Sequence, residues 1–401
     1  MTRQRLRHAL RVAGYLAVAF IAMISVYAVF VGVRRSQIVA LPAPAGTNRV
    51  GRLRFDWTDT SRRDHYAPTP GRPRALSVWV WYPAAQGSRD VRSTYAPGPW
   101  SRLGFAGAAA LLEGPLTNVR PSSSDDPPAV SGRFPVVVLQ PGMGLAAPEF
   151  TALAEGIASQ GYIVAGVTPT YSANLAVLDG HTIASTPQGK PSDLGARDPA
   201  ALDEADRLLT TWAADARFAA GRVRALDHDG TLAGHVDTGP TSYVGHSFGG
   251  ASALQACNDD PTCAGAADID GDQFGPVART GSRRPFLILG SENSCVLGDC
   301  DAASADDRDE RAASQRFLQA SSGPAYRYSI IGTKHFNFSD IAVWYIAPPM
   351  RQLFPLGPIN GRRGLVIEAA VVVAFLARIH SAGSGDLGTL TSRYAEVRQL
   401  P

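Results

Sequence analysis

The stretch "YVGHSFGGASALQAC", Tyr243–Cys257, decides the reading of this chain. A short apolar run enters Gly245-His246-Ser247-Phe248-Gly249-Gly250 and leaves directly into an alanine-rich segment. G-x-S-x-G alone is a weak signal in a chain with 40 glycines; chance gives roughly a third of a match. The setting adds the weight. A strand, a sharp turn with small flanks and then a helix is the geometry that lifts a serine hydroxyl above a sheet edge. The helix behind it points its first amides at whatever the hydroxyl attacks. Ser247 is therefore the candidate nucleophile. A structural serine in a tight turn would explain the glycines but not the flanking strand and helix.

The surrounding pattern is consistent with this. "FPVVVLQPGMG" (Phe134–Gly144) predicts a buried parallel strand ending in a loop. "EFTALAEGIASQG" predicts an amphipathic helix stopped by Gly161, and "YIVAGVTPT" another strand. "PAALDEADRLLTTWAADARFAAG" reads as a helix opening at Pro199 and ending before Gly221. Beyond the serine, "AGAADID", "RPFLILG" and "YRYSIIG" read as strands. "DDRDERAASQRFLQAS" and "GRRGLVIEAAVVVAFLARIHSAG" read as helices, the latter too interrupted by Glu368 to span a bilayer. Upstream, "GRLRFDWTD" and "ALSVWVWYP" alternate as strands. Such alternation predicts an α/β fold, a mostly parallel sheet with helices on both faces, in one catalytic domain over 49–401. The Pro- and Gly-rich stretches 84–132 and 171–198 read as insertions walling the pocket, the first with a short helix at "LGFAGAAALL".

A serine hydroxyl attacks only when a base takes its proton. Among eight histidines, His335 in "IIGTKHFNFSD" falls after the last expected strand and before the last helix, where this topology delivers its base. His246 adjoins the serine but belongs to the packing of the turn. His8 precedes the apolar N-terminal run, His65, His181, His228 and His235 lie in polar loops or before the serine's strand, and His380 ends the final helix. The acid that orients the imidazole is less determined. Asp270 ends a strand; Asp268 and Asp272 beside it, and Glu292, Asp299 and Asp301 after the next strand, stay open. An oxyanion needs two amide donors: the backbone of Phe248, and that of Met143 between Gly142 and Gly144. This chemistry needs no metal and no cofactor.

On these residues the chain resembles a known family. "LSVWVWYPA", "VVVLQPGMG", "GHSFGG", "DIDG" and "KHFNFSD" look like the platelet-activating-factor acetylhydrolase group of α/β-hydrolases and its bacterial lipase and esterase relatives, over most of residues 45–380. The resemblance implies an α/β-hydrolase fold and cleavage of carboxylic esters. It implies Asp270 as the acid, Ser247 and His335 as nucleophile and base, and Met143 with Phe248 as the oxyanion hole. Gln140 departs from the pattern, standing where relatives often carry Ser or His. The implied substrate is a small-molecule or lipid-like ester. The aromatic, Pro-broken segment Asp340–Pro358 would serve as an acyl-binding wall or lid, or pack on the core as a plain loop. A secreted lipase or polyester hydrolase, or an acyltransferase of the cell envelope, would use the same residues. A non-catalytic binding module would need the triad broken.

The N-terminus sets the location. Val12–Val33 is 22 residues without a charge, as a helix roughly 33 Å long and enough to cross a bilayer core of about 30 Å. Arg3, Arg5, Arg7 and Arg11 precede it and Arg34 and Arg35 follow, with no acid in residues 1–35. The early arginines stay cytoplasmic, so the body is expected outside. Residues 1–35 read as a signal anchor and 36–48, with "LPAPAGTN", as a linker. A cleaved signal peptide, giving a secreted protein, is the rival. The run is long for that, and its small-residue site Val26–Ala28 lies inside it. Removing the six arginines from 38 basic residues leaves 32 against 35 acids, which gives no footprint for nucleic acid. Sparse lysine with abundant Ala, Gly, Pro and Arg reads as a GC-rich bacterial genome. Two close pairs, Cys257 with Cys263 and Cys295 with Cys300, are disulfide candidates if the body is exported. Their spacing does not suit zinc.

Overall fold

The computed structural model describes residues 3–69, 71–85, 91–192, 198–380 and 386–401. The strands are β1 (Arg49–Arg63), β2 (Pro73–Ala84), β3 (Ser124–Asp125), β4 (Val136–Gln140), β5 (Ile163–Thr168), β6 (Ser242–His246), β7 (Gly265–Ile269), β8 (Phe286–Ser291), β9 (Ala325–Ile330) and β10 (Val397–Gln399). They form one sheet in the order β10-β9-β8-β7-β6-β4-β5-β2-β1-β3. From β9 to β5 every neighbouring pair is parallel. β2 pairs antiparallel with both β5 and β1, and β10 antiparallel with β9.

The helices are α1 (Arg3–Arg35), α2 (Thr151–Ala158), α3 (Pro199–Ala225), α4 (Phe248–Asp259), α5 (Gly275–Thr280), α6 (Ala305–Ala320) and α7 (Gly361–His380). The period of two along the strands sorts side chains into two cores. Val137 and Leu139 of β4 join Ile157 of α2 and Val371 and Phe375 of α7 on one face. Val136 and Val138 join Ala216 of α3, Leu254 of α4 and Phe317 of α6 on the other. A strand buried on both faces must be apolar at nearly every position, which is why these strands read as continuous runs. After β4 the chain moves to β5 on one side, and later returns to β6 on the other. That reversal opens a crevice beyond the carboxyl ends of β4 and β6, where open α/β sheets bind ligands.

Several elements differ from the sequence reading. α3 runs through Gly221 to Ala225, and the burial of Val223 beyond it offsets the roughly 1 kcal/mol that a mid-helix glycine costs. "LGFAGAAALL" forms one 3-10 turn, Gly107–Leu112, rather than an α-helix, and another, Gly98–Leu103, leads into it. The stretch 171–198 contains a hairpin, Leu175–Leu178 with His181–Ala184. α5 and the edge strand β10 had no readable signal. Residues 36–48 lie against the body: Val39–Ala40 pairs with Val119–Arg120, Leu41 is buried, and the Asn48 amide donates to Ser159 O. Both cysteine pairs are bonded, Cys257–Cys263 and Cys295–Cys300. α1 is almost wholly exposed, and it is long and apolar enough to cross a membrane.

One buried charge locks β2 to α3. Arg74 Nη2 donates to Asp215 Oδ2 at 2.6 Å and Nη1 to Asp64 Oδ2 at 2.9 Å, with all three side chains at most 2% exposed. The two carboxylates hold the guanidinium firmly protonated against the cost of burial. Removing the guanidinium strands buried Asp64 and leaves Asp215 with Arg62 alone, at 2.9 Å. Arg74→Met should therefore lower the unfolding free energy by about 3–5 kcal/mol, read from urea unfolding of the full chain in detergent.

Candidate active site

β6 ends at His246 and α4 begins at Phe248, which leaves Ser247 alone to make the turn. It does so at φ 57° and ψ −129°, a conformation costing a non-glycine residue about 1–3 kcal/mol. Crowding holds it there. A Cβ at Gly245 would overlap Gly249 O, and a Cβ at Gly249 would overlap Pro141 O. The Ser247 amide continues the ladder to β7 by donating to Ile269 O at 2.8 Å.

Asp270 is the first residue past β7, also at positive φ. Its amide donates to Leu289 O, and its Oδ1 accepts the Ser291 amide at 2.7 Å. Its Oδ2 accepts from His335 Nδ1 at 2.9 Å. Burial pushes this carboxyl up, but the His335 bond and charge and the Ser291 amide outweigh it, holding Asp270 below the usual carboxylate range. His335 opens the turn after β9. Burial pulls its imidazole down, and the bond and charge of Asp270 lift it above the ordinary histidine value. With Nδ1–H committed to Asp270, Nε2 presents its lone pair.

Ser247, Asp270 and His335 line one cleft of about 360 Å³ with Phe248, Phe274 and Val296. Among the described residues, no direct hydrogen bond joins Ser247 Oγ to His335. The rival acids lie elsewhere or differ in state. Asp268 is buried against Gln273, and burial holds its carboxyl well above the usual range, so it stays uncharged. Glu292 accepts the Gly332 amide, and Asp299 and Asp301 are exposed. Asp272 lines the cleft, and its charge also lifts the imidazole.

His246 does more than the sequence suggested. It is buried, and its Nε2 lies 3.0 Å from the carbonyl oxygen of His335. Accepting carbonyl and ring geometry put the proton on Nε2. Burial, then the neighbouring His335, push its pKa down to about 3, so it remains neutral. It braces the turn that carries His335. A glycine-flanked turn followed by a histidine loop held no readable sign of this contact.

The loop after β4 abuts the elbow: Gly142 sits against His246 and Ser247. Met143 is half-buried against Phe248 and Phe274. Phe248 is the first residue of α4, so its N–H has no acceptor within the helix. Gln140 turns away, donating from Nε2 to Trp212 O at 3.0 Å and tying β4 to α3. The 171–198 insertion supports the loop through Asn174 N–H to Gly144 O, at 2.8 Å. Among the described residues neither insertion lines the cleft, and neither does Asp340–Pro358, which packs against 107–116.

No protein-family model and no curated protein matches the chain. Among solved structures, the chain is similar to a ferulic acid esterase from Streptomyces cinnamoneus. The two are 25% identical, with a TM-score of 0.72 over 90% of this chain and 99% of that one. This likeness supports carboxylic ester hydrolysis on an α/β fold.

The two histidines should titrate far apart. By NMR, the His335 ring should titrate above the ordinary histidine value, and His246 should stay neutral down to about pH 3. In Asp270→Asn the largest lifting bond and charge are gone and only Asp272 still opposes burial, so the His335 value should fall from its wild-type position.

Proposed function

We propose that the protein is a serine esterase that cleaves carboxylic esters through Ser247, His335 and Asp270 by way of an acyl-enzyme. The observation that carries this reading is the bond from buried Asp270 to His335, in the cleft that Ser247 lines from its strained turn. Substrate binding closes the hydroxyl onto Nε2, as such bonds commonly tighten only in the complex. His335 takes the Ser247 proton as Oγ attacks the ester carbonyl. Asp270 stabilises the imidazolium that forms. The amides of Phe248 and Met143 receive the oxyanion, each worth about 3 kcal/mol in the transition state. His335 then returns the proton to the leaving alcohol, and a water deprotonated by the same ring releases the acid.

Within this class the reading is a lipid-like or short-acyl ester, as the resemblance to the platelet-activating-factor acetylhydrolase group implies. The small cleft suits a short acyl group. Among the described residues, Asp272 and Glu310 line it and no Lys or Arg does. A second reading is a hydroxycinnamoyl ester. The structural neighbour is a ferulic acid esterase, and the rings of Phe248 and Phe274, 5.7 Å apart, line the cleft. A secreted lipase or polyester hydrolase, or an envelope acyltransferase, would keep the same machinery and differ in the acceptor. We read 49–401 as the catalytic domain and 1–35 as its membrane anchor, joined by 36–48. The body lies outside the cytoplasm, where its two disulfides persist.

A fluorophosphonate probe should label the wild-type chain and leave Ser247→Ala unlabelled; equal labelling would sink the nucleophile assignment. Asp270→Asn should lower kcat by about 10⁴-fold. Nitrophenyl esters should be cleaved more slowly as the acyl chain lengthens. Faster turnover of methyl ferulate than of an acetyl ester would move the assignment to the second reading, and product partitioning to an added alcohol over water would move it to acyl transfer.

A further inference from the structure

At the foot of α1 lies a cleft of about 590 Å³, between the end of that helix, the segment 342–348 and the start of α7. Three guanidinium groups line it: Arg34, Arg351 and Arg362. Among the described residues no carboxylate lines it. The three are held by neutral acceptors only. Arg362 Nη1 donates to Ala40 O at 2.6 Å, Arg34 Nη1 to Gln37 Oε1 at 3.0 Å, and Arg351 makes long bonds of 3.4 and 3.2 Å to Trp344 O and Ala342 O. Burial pulls the Arg351 guanidinium below its ordinary value. α7 begins at Gly361 on the wall of this cleft, and the first amides of a helix favour an anion. A negative group in the cleft would be attracted by all three guanidinium groups at once.

The surroundings say where that anion comes from. Among the described residues outside α1, the exposed large apolar side chains are Ile38, Val91, Leu111 and Leu353. Ile38 lines the cleft, and Leu353 shares a turn with Arg351. Leu111 follows Ala110, whose carbonyl accepts from Arg35. Three of the four thus surround the point where α1 meets the body. Tyr27 of α1 donates to Pro348 O, so the same segment touches the apolar helix itself. Apolar side chains among arginines are what a surface resting on an anionic bilayer presents.

We propose that this cleft binds the phosphate of an anionic membrane lipid, with the acyl chains lying along α1. The site is separate from the Ser247 cleft, and it rests on the reading of α1 as a membrane span. The phosphate would sit among Arg34, Arg351 and Arg362, near the first turn of α7. The partly exposed ring of Tyr345 at this level, with the Arg34 guanidinium over it, would lie at the headgroup layer, where such rings are enriched.

The test uses the full chain in nanodiscs of mixed phosphatidylglycerol and phosphatidylcholine, with retained lipid counted by native mass spectrometry. Wild type should retain phosphatidylglycerol in preference. Each arginine neutralised should weaken retention about fivefold, the contribution of one basic side chain near an anionic surface. Arg351→Gln with Arg362→Gln should therefore lose nearly all preference, while Arg351→Lys keeps part of it. Where the double variant melts early, the exposed single change Arg362→Gln supplies the measurement. Equal retention of the two lipids by wild-type chain in the nanodisc would overturn the site. Displacement of the lipid by inorganic phosphate at matched concentration would overturn the lipid as the source. A chain released from cell membranes by alkaline washing would overturn the anchor, and with it the lipid; ester cleavage is read separately and decides neither.

Discussion

Everything at the site depends on one steric constraint, the close approach of two backbones at the end of β4 and β6. Gly249, in the first turn of α4, lies where any Cβ would meet Pro141 O, and Gly245 where any Cβ would meet Gly249 O. Helix, turn and the loop after β4 can be this close only without side chains. The closeness leaves a single residue to reverse the chain between strand and helix, which forces Ser247 to positive φ. Strain at that one residue is held by the packing of α4 along its whole length, every residue of it from Phe248 to Cys257 being buried. The sheet's change of direction then places this corner at a crevice rather than on a flat edge.

The electrostatics follow from the same crowding. Two imidazole rings lie 4.5 Å apart, and both cannot carry charge in so dry a place. Their partners decide which one does. His246 has only a backbone carbonyl and stays neutral, whereas His335 has a buried carboxylate and can hold a proton. Asp270 is in turn kept ionised by its own partners, while Asp268, two residues earlier and equally buried, is not. The two aspartates differ by environment rather than by type. Asp268 lies within the strand and faces helix α4, and Asp270 lies past the strand's end, where the chain has turned toward the cleft.

That contrast shows what the sequence carries and what it does not. Glycines at fixed offsets and unbroken apolar runs are local signals, so the elbow, the parallel strands and both cysteine pairs could be read from them. The choice between Asp268 and Asp270 depends on where one strand stops, a boundary that propensity does not fix. Residue patterning pointed to Asp270 only with the help of the family resemblance. The bond of His246 to His335 spans 89 positions, and that of Asp64 and Asp215 to Arg74 spans 10 and 141. Pairings of that kind leave no periodic trace. Gly221 misled for a related reason: a glycine ends a helix only where no tertiary contact rewards its continuation, and Val223 supplies one.

The segment after His335 links the two ends of the molecule. Its first turn carries the imidazole, and Asn337 Oδ1 closes that turn through Lys334 N–H while also accepting Gly357 N–H at 2.6 Å. Asp340 then fastens the chain to the first amides of α2, at 3.0 and 3.1 Å, and to Tyr95 Oη at 2.9 Å. Seven residues on, Ala347 donates to Leu112 O, and Pro348 meets Tyr27 of α1. A stretch with no regular secondary structure beyond short turns is thus fixed at each step by bonds to a different element. This answers the alternative of a lid against a packed loop in favour of packing. The packing also fixes where the His335 ring sits against Asp270. The same bonds leave α1 attached to the body at the far end of this segment, so the chain holds its imidazole and its apolar helix through one continuous, immobilised connector.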